Sequence, residues 1–238
     1  MEATSLDIIL PCYNPAKQWA ENVIRAFTEI QQQLPGIDIH LIIVNDGSTH
    51  LDELSGIKKI EDKIPLSTYM DYPVNKGKGY ALREGIKRST ADICIYTDID
   101  FPYTTRSFIK IWEHLKGGQT DIAVGIKDKN YYAHVPPGRK FISKILRVCS
   151  KTILHLKISD TQCGLKGFNA KGKNIFLQTT INRYLFDLEF IFLASRQKDV
   201  SMLAVEIELR DKIQFSSMRF GILLGEGFNF LKIFFKSL

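Results

Sequence analysis

Two aspartates, Asp98 and Asp100, follow an apolar run in the segment "IYTDIDFPYTT". Residues i and i+2 on a strand point to the same face, so these two carboxylates are predicted to lie side by side and repel each other. Two hard oxygen ligands suit Mg²⁺ or Mn²⁺, with a nucleotide diphosphate filling the remaining coordination positions. The pattern alone also fits a solvated turn, but its place after a buried strand favours a metal site.

Two other polar segments have a composition suited to a phosphate or nucleotide ligand. In "VNDGST", Asp46 can accept hydrogen bonds from a base or ribose, although a simple turn that caps a helix fits as well. In "NKGKGYALREG", the glycines allow close backbone approach to a ligand, and Lys76 and Lys78 supply charge for phosphate. This segment is neither a Walker A loop nor GxGxxG, and a solvated basic loop is the alternative interpretation.

The elements that position these segments alternate along the first half of the chain. Strands are predicted at "LDIIL", "IDIHLIIV", "STYMDY", "DICIYTD" and "DIAVG", with helices over residues 17–33, 79–88 and 105–115 and from residue 52. This order predicts an α/β fold with a mostly parallel sheet, whose ligands lie at the carboxyl ends of the strands. The loops "PCYNP", "NDGST" and "TDIDFP" are therefore expected to meet at one site.

The second half of the chain carries the excess of positive charge. Between Lys127 and Lys151 seven basic residues oppose Asp128 alone, which gives this segment a net charge of +6. A helix predicted in "PPGRKFISKILRVCSKTILHL" carries a basic stripe at 4-3-4 spacing, formed by Lys140, Lys144, Arg147 and Lys151. No nucleic-acid motif accompanies the charge, and a phosphate or an anionic membrane surface fits it equally well.

Composition indicates the cellular setting and how the C-terminal segment could relate to a membrane. The four cysteines show no CxxC spacing, and no signal-like run precedes the first strand, so a reduced, cytoplasmic setting is expected. The apolar run from Ile222 is interrupted by Glu226 and Lys232, and no uncharged run reaches the length of a membrane span. The repeat of apolar residues predicts a helix that either packs on the core or lies in a membrane interface.

The order of the motifs "DIILPCYN", "VNDGST", "NKGKGYALREG" and "YTDID" resembles the GT-A fold glycosyltransferases of family 2. The later "SDTQCGLKGF", "FDLEF" and "RDKIQFSSMRFG" narrow this resemblance to the dolichyl- or polyprenyl-phosphate hexosyltransferases, over residues 6–221. The resemblance implies a GT-A sheet flanked by helices and an inverting, metal-dependent transferase. The donor would be a nucleotide diphosphate sugar, with UDP-glucose favoured over GDP-mannose, and the acceptor a polyprenyl phosphate at the membrane surface.

The resemblance also implies roles for matching positions, which complement those inferred from the residues. The nucleotide and its phosphates would meet Pro11, Tyr13, Asp46, Lys78 and Asp98. The metal, Mg²⁺ or Mn²⁺, would bind Asp98 and Asp100. The donor sugar and acceptor would lie beside Asp160, Gln162 and Gly164. The acceptor phosphate would meet Arg139 and Lys144, and the segment closing over the site would include Arg210 and Arg219. Pro15 replaces an acidic residue of many relatives, which puts one base or ribose contact in doubt.

The acceptor determines whether the site needs a general base. A hydroxyl acceptor needs one within hydrogen-bond reach, and Asp187 in "FDLEF" is the first candidate and Glu189 the second. A helix-start acid favoured by the dipole is the alternative interpretation of Asp187. A phosphate acceptor is already ionised and needs cations instead, which the basic stripe supplies unless that stripe is only a solvated helix face.

The expected domain organisation is a single domain over residues 1–238. It would comprise a nucleotide-sugar-binding half (1–126), an acceptor and catalytic part (127–221) and a C-terminal amphipathic helix (222–238). Expected partners are a nucleotide sugar and a polyprenyl phosphate, with no nucleic acid; a homo-oligomer or a separate membrane protein partner stays open. The alternatives are transfer to a saccharide hydroxyl in glycan assembly and a nucleotide-sugar-binding protein without turnover. The expected location is cytoplasmic, peripheral on the membrane face.

Overall fold

The computed structural model describes residues 3–49, 53–127, 137–210 and 220–235. Seven strands in these ranges form one sheet in the order β3-β2-β1-β4-β6-β5-β7. The strands are β1 (Ser5–Cys12), β2 (Asp38–Asp46), β3 (Ser67–Tyr72), β4 (Ile93–Tyr96), β5 (Ile122–Lys127), β6 (Lys166–Phe168) and β7 (Met202–Ile207). The helices are α1 (Trp19–Gln33), α2 (Glu53–Lys63), α3 (Lys78–Arg88), α4 (Thr105–Lys116), α5 (Pro137–Thr152), α6 (Ala170–Phe176), α7 (Phe186–Ser195) and α8 (Phe220–Phe235).

The sheet is mostly parallel, as the sequence predicts. β1 pairs in parallel with β2 and β4, β2 with β3, and β5 with β7, whereas β6 is antiparallel to both β4 and β5. Because β1 lies between β2 and β4, their carboxyl ends lie at the same edge of the sheet. The loops "PCYNP", "NDGST" and "TDIDFP" therefore lie at neighbouring strand ends, as expected.

Helices cover both faces of the sheet. The side chains of Leu6, Ile8 and Leu10 pack in one core cluster with residues of α1, α2 and α4. Ile9, on the opposite face of β1, packs in a second cluster with residues of α3, α6, α7 and α8. This double burial explains why β1 has a continuous apolar run rather than an alternating one, since strands of parallel sheets are covered on both sides.

Asp121 joins the strands at the far side of the sheet from β1. It accepts hydrogen bonds from Ser201 N (2.8 Å) and Asn169 Nδ2 (2.8 Å), so it ties together the segments before β5, β7 and α6. Burial alone would raise the pKa of Asp121, but these hydrogen bonds outweigh it and lower the pKa. The carboxylate is therefore stabilised in its charged form by the fold.

The C-terminal helix α8 combines core packing with an exposed apolar face. Ile233 is fully buried in the second core cluster, and Glu226 Oε2 accepts a hydrogen bond from Leu185 N (2.9 Å). Phe228 and Phe235, however, are 70% and 67% exposed. No helix in the parts of the chain that the structure describes has the length and apolarity of a membrane span.

Candidate functional site

Asp98 and Asp100 lie in a turn and not on a strand. β4 ends at Tyr96, the N–H of Phe101 donates to Asp98 O (3.0 Å), and Phe101 has a φ of 45°. The prediction that the strand continues to Asp98 is therefore wrong, and a turn brings the carboxylates together. Partial desolvation and the negative charge of Asp98 raise the pKa of Asp100, so the repulsion expected from the sequence is present.

Asp98 is enclosed by residues from two other segments. The ammonium of Lys78 contacts Asp98 Oδ1. Asp98 Oδ2 lies against Gly164, where a Cβ atom would overlap this oxygen. Burial alone would lower the pKa of Lys78, but the carboxylates of Asp98 and Asp187 outweigh burial and raise it. The structure thus brings together an ammonium, a carboxylate and a side-chain-free backbone position, three of the predicted site residues.

Asp46 fixes the loop that precedes Lys78. Its buried carboxylate accepts four hydrogen bonds, from Tyr72 Oη (2.7 Å), Asn75 Nδ2 (2.9 Å), Lys76 N (2.7 Å) and Gly77 N (2.8 Å). Gly77 has a φ of 108°, in the region that favours glycine, and a Cβ there would overlap Asn182 O. Asp46 therefore shapes the lysine loop, while its contact with a base or ribose stays a prediction.

The loops after β1 and β2 are linked to each other. Asn14 N donates to Ser48 Oγ (2.9 Å), and Thr49 N donates to Asn14 Oδ1 (2.9 Å). Tyr13 is 50% exposed beside this link, and Pro11 is partly exposed near the end of β1. The exposed ring of Tyr13 leaves a face free for stacking on an aromatic ligand. The link between Asn14 and Ser48 leaves no signal in the sequence, because it joins loops 34 residues apart.

Asp187 belongs to a buried polar network that the sequence analysis missed. Its Oδ1 accepts from the Tyr96 hydroxyl and lies 2.6 Å from Nζ of Lys166, which is fully buried. Burial and the charge of Asp187 raise the pKa of Tyr96 well above its ordinary value, so this hydroxyl stays a neutral donor. The only sequence signal was a lysine within the apolar run of "GLKGF", since a buried lysine requires a partner.

Glu189 holds a loop in place. Its fully buried carboxylate accepts from Thr180 N (2.8 Å), Thr180 Oγ1 (2.9 Å) and Ile181 N (2.8 Å). Arg83 Nη1 supports the same loop by donating to Ile181 O (2.9 Å). Asn182 O, in turn, accepts from Gly79 N (2.7 Å) in the first turn of α3. Both oxygens of Glu189 are thus occupied within the chain, and they support the helix that begins with Lys78.

The "DTQCG" segment contains buried polar atoms and contacts Asp98 through Gly164. Asp160 Oδ2 accepts from Lys127 N (3.0 Å). Thr161 Oγ1, Gln162 Nε2 and Thr97 Oγ1 are buried and have no hydrogen-bond partner in the described part of the chain. Thr97 is adjacent to Asp98 in the sequence, and Thr161 and Gln162 precede Gly164. Because buried polar atoms are nearly always paired, these three groups need a partner such as water or a ligand.

The remaining predicted residues occupy different surroundings. Lys144 is exposed on α5. Arg139 lies in α5 but its side chain is outside the described residues, and Arg219 lies outside them altogether. Arg210 donates to Tyr103 O (3.0 Å) and to Glu29 Oε2 (2.8 Å), so it braces the loop after Asp100 against α1. The structure therefore brings Arg210 near the carboxylate loop and leaves Lys144 on a separate helix.

The donor set at Asp98 and Asp100 fits a hard divalent cation that also binds a substrate. No group of three or more His, Cys, Asp or Glu side chains able to hold a metal occurs within the described ranges. Mg²⁺ and similar ions are often held by one or two carboxylates together with substrate phosphates. A carboxylate pair and a basic glycine loop at the carboxyl ends of parallel strands are the arrangement expected of a ligand site in an α/β protein.

Comparison with known proteins gives the family. Residues 7–173 match the family "Glycosyl transferase family 2", and the chain belongs to it. It is similar to the dolichyl-phosphate beta-glucosyltransferase of Dictyostelium discoideum, with 26% identity over 204 residues, 80% of this chain and 62% of that protein. It is also similar to the dolichol-phosphate mannosyltransferase of Pyrococcus furiosus, with 26% identity over 179 residues, 74% of this chain and 49% of that protein. The chain thus spans less than two thirds of either relative.

A solved structure with the same fold is the glucosyl-3-phosphoglycerate synthase of Mycobacterium tuberculosis in complex with Mn²⁺, UDP and phosphoglyceric acid. The two chains superpose with a TM-score of 0.63 and 15% identity, over 98% of this chain and 78% of the other. This likeness supports the predicted fold class, a mostly parallel mixed GT-A sheet flanked by helices.

Proposed function

We propose that this protein transfers a hexose from a nucleotide diphosphate sugar to a polyprenyl phosphate, with inversion at the anomeric carbon. The family supports glycosyl transfer, and relatives that act on dolichyl phosphate support the lipid acceptor. The choice of a phosphate acceptor rests on the contacts that the two acids of "FDLEF", Asp187 and Glu189, make inside the protein. Neither acid is arranged as a free general base.

Asp187 and Glu189 are both committed to contacts inside the protein. Asp187 forms a buried ion pair with Lys166, and proton uptake by Asp187 would remove the charge that compensates this ammonium. Glu189 uses both oxygens to hold the loop before α7. A hydroxyl acceptor needs a base, whereas a phosphate monoester is already ionised near neutral pH. The arrangement therefore favours a phosphate acceptor.

The transfer is a single displacement. An oxygen of the acceptor phosphate forms a bond to the anomeric carbon, and the bond from that carbon to the nucleotide diphosphate breaks with its electron pair. A divalent cation bound to Asp98 and Asp100 would stabilise the negative charge on the leaving diphosphate. Lys78 lies beside Asp98 and adds a second positive charge near the same group. UDP-glucose is the favoured donor because "DTQCG" resembles UDP-glucose users, and GDP-mannose is the alternative.

We place the lipid acceptor on the side of α5 and α8. α5 presents exposed Ile145 and Val148 next to exposed Lys144 and Lys151. α8 exposes three apolar side chains at helical spacing, namely Phe228, Leu231 and Phe235. A helix face that mixes lysines with apolar side chains suits the interface of an anionic membrane. The protein is thus proposed to bind the membrane surface peripherally, on its cytoplasmic face.

The experiment is transfer from labelled UDP-glucose and GDP-mannose to a short polyprenyl phosphate, with and without Mn²⁺. The expected product is a lipid-extractable hexosyl phosphate that requires the metal, and NMR of its anomeric proton should show inversion. Label that moves only to sugars or glycans would reject the lipid acceptor. Nucleotide binding without any metal-dependent transfer or hydrolysis would instead support a non-catalytic protein.

The position of Asp187 favours one second candidate, transfer to a saccharide hydroxyl. Asp187 lies near enough to Lys78 to contribute to raising the pKa of that lysine, so it borders the donor site. For a hydroxyl acceptor, Asp187→Asn should abolish transfer in enzyme that remains folded. For a phosphate acceptor, the folded variant should retain transfer, and this difference separates the two acceptors.

A further inference from the structure

The position of Lys78 is not explained by its own helix. Lys78 is the first residue of α3, where the positive end of the helix dipole disfavours a cation. The first turn of α3 contains no acidic residue, and the preceding residue, Gly77, has no side chain. The partners of this ammonium come from other segments, namely Asp98 in direct contact and Asp187 nearby. Lys78 is therefore placed by the carboxylates of the site.

Both carboxylate oxygens of Asp98 have a close neighbour. Its Oδ2 faces Gly164 so closely that no Cβ fits between them, and its Oδ1 contacts the ammonium of Lys78. A cation that binds Asp98 must therefore use a carboxylate whose charge Lys78 already neutralises. The two side chains are partly exposed, 28% for Lys78 and 38% for Asp98, so their separation does not require the core to open.

We infer that Lys78 is an internal counter-ion that competes with the divalent cation for Asp98. When the cation binds, the ammonium is released and becomes available to the negatively charged diphosphate of the donor. The cation alone should then bind weakly, and a diphosphate should strengthen its binding by giving Lys78 a new partner, a coupling that is reciprocal. This inference rests on the donor site proposed above but concerns binding and not transfer.

The test is the affinity for Mn²⁺ without nucleotide, measured by titration calorimetry or by the EPR signal of free Mn²⁺. Lys78→Met should bind Mn²⁺ about two- to fivefold more tightly than Lys76→Met, the range expected for a partly exposed ion pair. Lys76→Met is the matched control, because it removes the same charge from the same loop. Lys76 lies over the rings of Tyr72 and Tyr80, and none of the carboxylates in the described ranges forms an ion pair with it.

Two further measurements keep the test decisive. Lys78→Arg, which retains the charge, should bind Mn²⁺ like the wild type. Thermal melting should show that each variant is folded. If Lys78→Met does not fold, Lys78→Gln is used in its place. Without metal, Lys78→Met should bind UDP more weakly than Lys76→Met, because the charge of Asp98 is uncompensated. Equal Mn²⁺ affinities of Lys78→Met and Lys76→Met would overturn the competition. A missing transferase activity would overturn only the proposed function, since neither readout uses turnover.

Discussion

The buried pair between Lys166 and Asp187 gives a prediction whose size can be worked out from the structure. Lys166→Met removes an ammonium that lies 2.6 Å from a buried carboxylate and leaves that carboxylate without its counter-charge. Breaking a buried ion pair from one side costs about 3–5 kcal/mol of the free energy of unfolding. For a chain of 238 residues, ~1 kcal/mol corresponds to about 2 °C in melting temperature, so the variant should melt about 6–10 °C below the wild type.

The assay is thermal melting at neutral pH, followed by circular dichroism. Lys87→Met is the control, because Lys87 forms an exposed pair with Glu84 (2.7 Å) whose loss should cost less than about 1 kcal/mol, or ~2 °C. The double variant Lys166→Met with Asp187→Asn should be more stable than Lys166→Met, since it also removes the uncompensated charge. The reasoning fails if Lys166→Met melts within about 2 °C of the wild type and the double variant brings no recovery.

Three other predictions address the site, the sheet and the surface. Gly164→Ala should weaken UDP–Mn²⁺ binding about tenfold or more, because its Cβ would overlap the carboxylate of Asp98, which we propose to hold the metal. Gly117→Ala, where a Cβ would meet no atom within 4 Å, should bind like the wild type, and calorimetry checks both variants. The fold lowers the pKa of Asp121. This carboxylate therefore stabilises the protein at pH values above the ordinary aspartate pKa, and the contribution is lost as the pH falls through the lowered pKa. Asp121→Asn should therefore lose less stability than the wild type between about pH 5 and about pH 3, and equal slopes in denaturant titrations would contradict this. Phe228→Ser should reduce co-sedimentation with anionic vesicles about tenfold, because it removes an exposed apolar side chain from α8. Leu66→Ser is the control, since Leu66 is an exposed leucine before β3, and it should leave co-sedimentation unchanged. Equal losses for the two variants would argue against a membrane face on α8.

Much of the fold could be predicted because its signals are local. The apolar runs of β1 and β2 are continuous since both faces of the sheet are covered, and each strand was placed to within a few residues. The parallel pairing of β1, β2 and β3 also followed, because helical crossovers in an α/β chain place successive strands in parallel. The edge of the sheet that carries the polar loops could thus be predicted from the sequence.

The details of the site could not be predicted because they depend on pairs of residues far apart in the chain. Asp46 receives its hydrogen bonds from residues 26 to 31 positions later, and Tyr96 meets Asp187 across 91 positions. No local pattern distinguishes a carboxylate that binds a ligand from one that holds a loop. Lys166 shows the same limit, since its place in an apolar run suggests burial but does not reveal that its partner is Asp187, 21 positions later.

The charges of the site fit two anionic substrates better than one anionic and one neutral substrate. Three carboxylates, Asp98, Asp100 and Asp187, lie around two ammonium groups, Lys78 and Lys166, which leaves a net charge of −1. A divalent cation bound to the first two carboxylates would change this charge to +1. A donor diphosphate and an acceptor phosphate must approach each other closely in the proposed reaction, and a positive centre between them offsets their repulsion. A neutral saccharide acceptor would gain nothing from this positive charge, so the charge balance favours the phosphate.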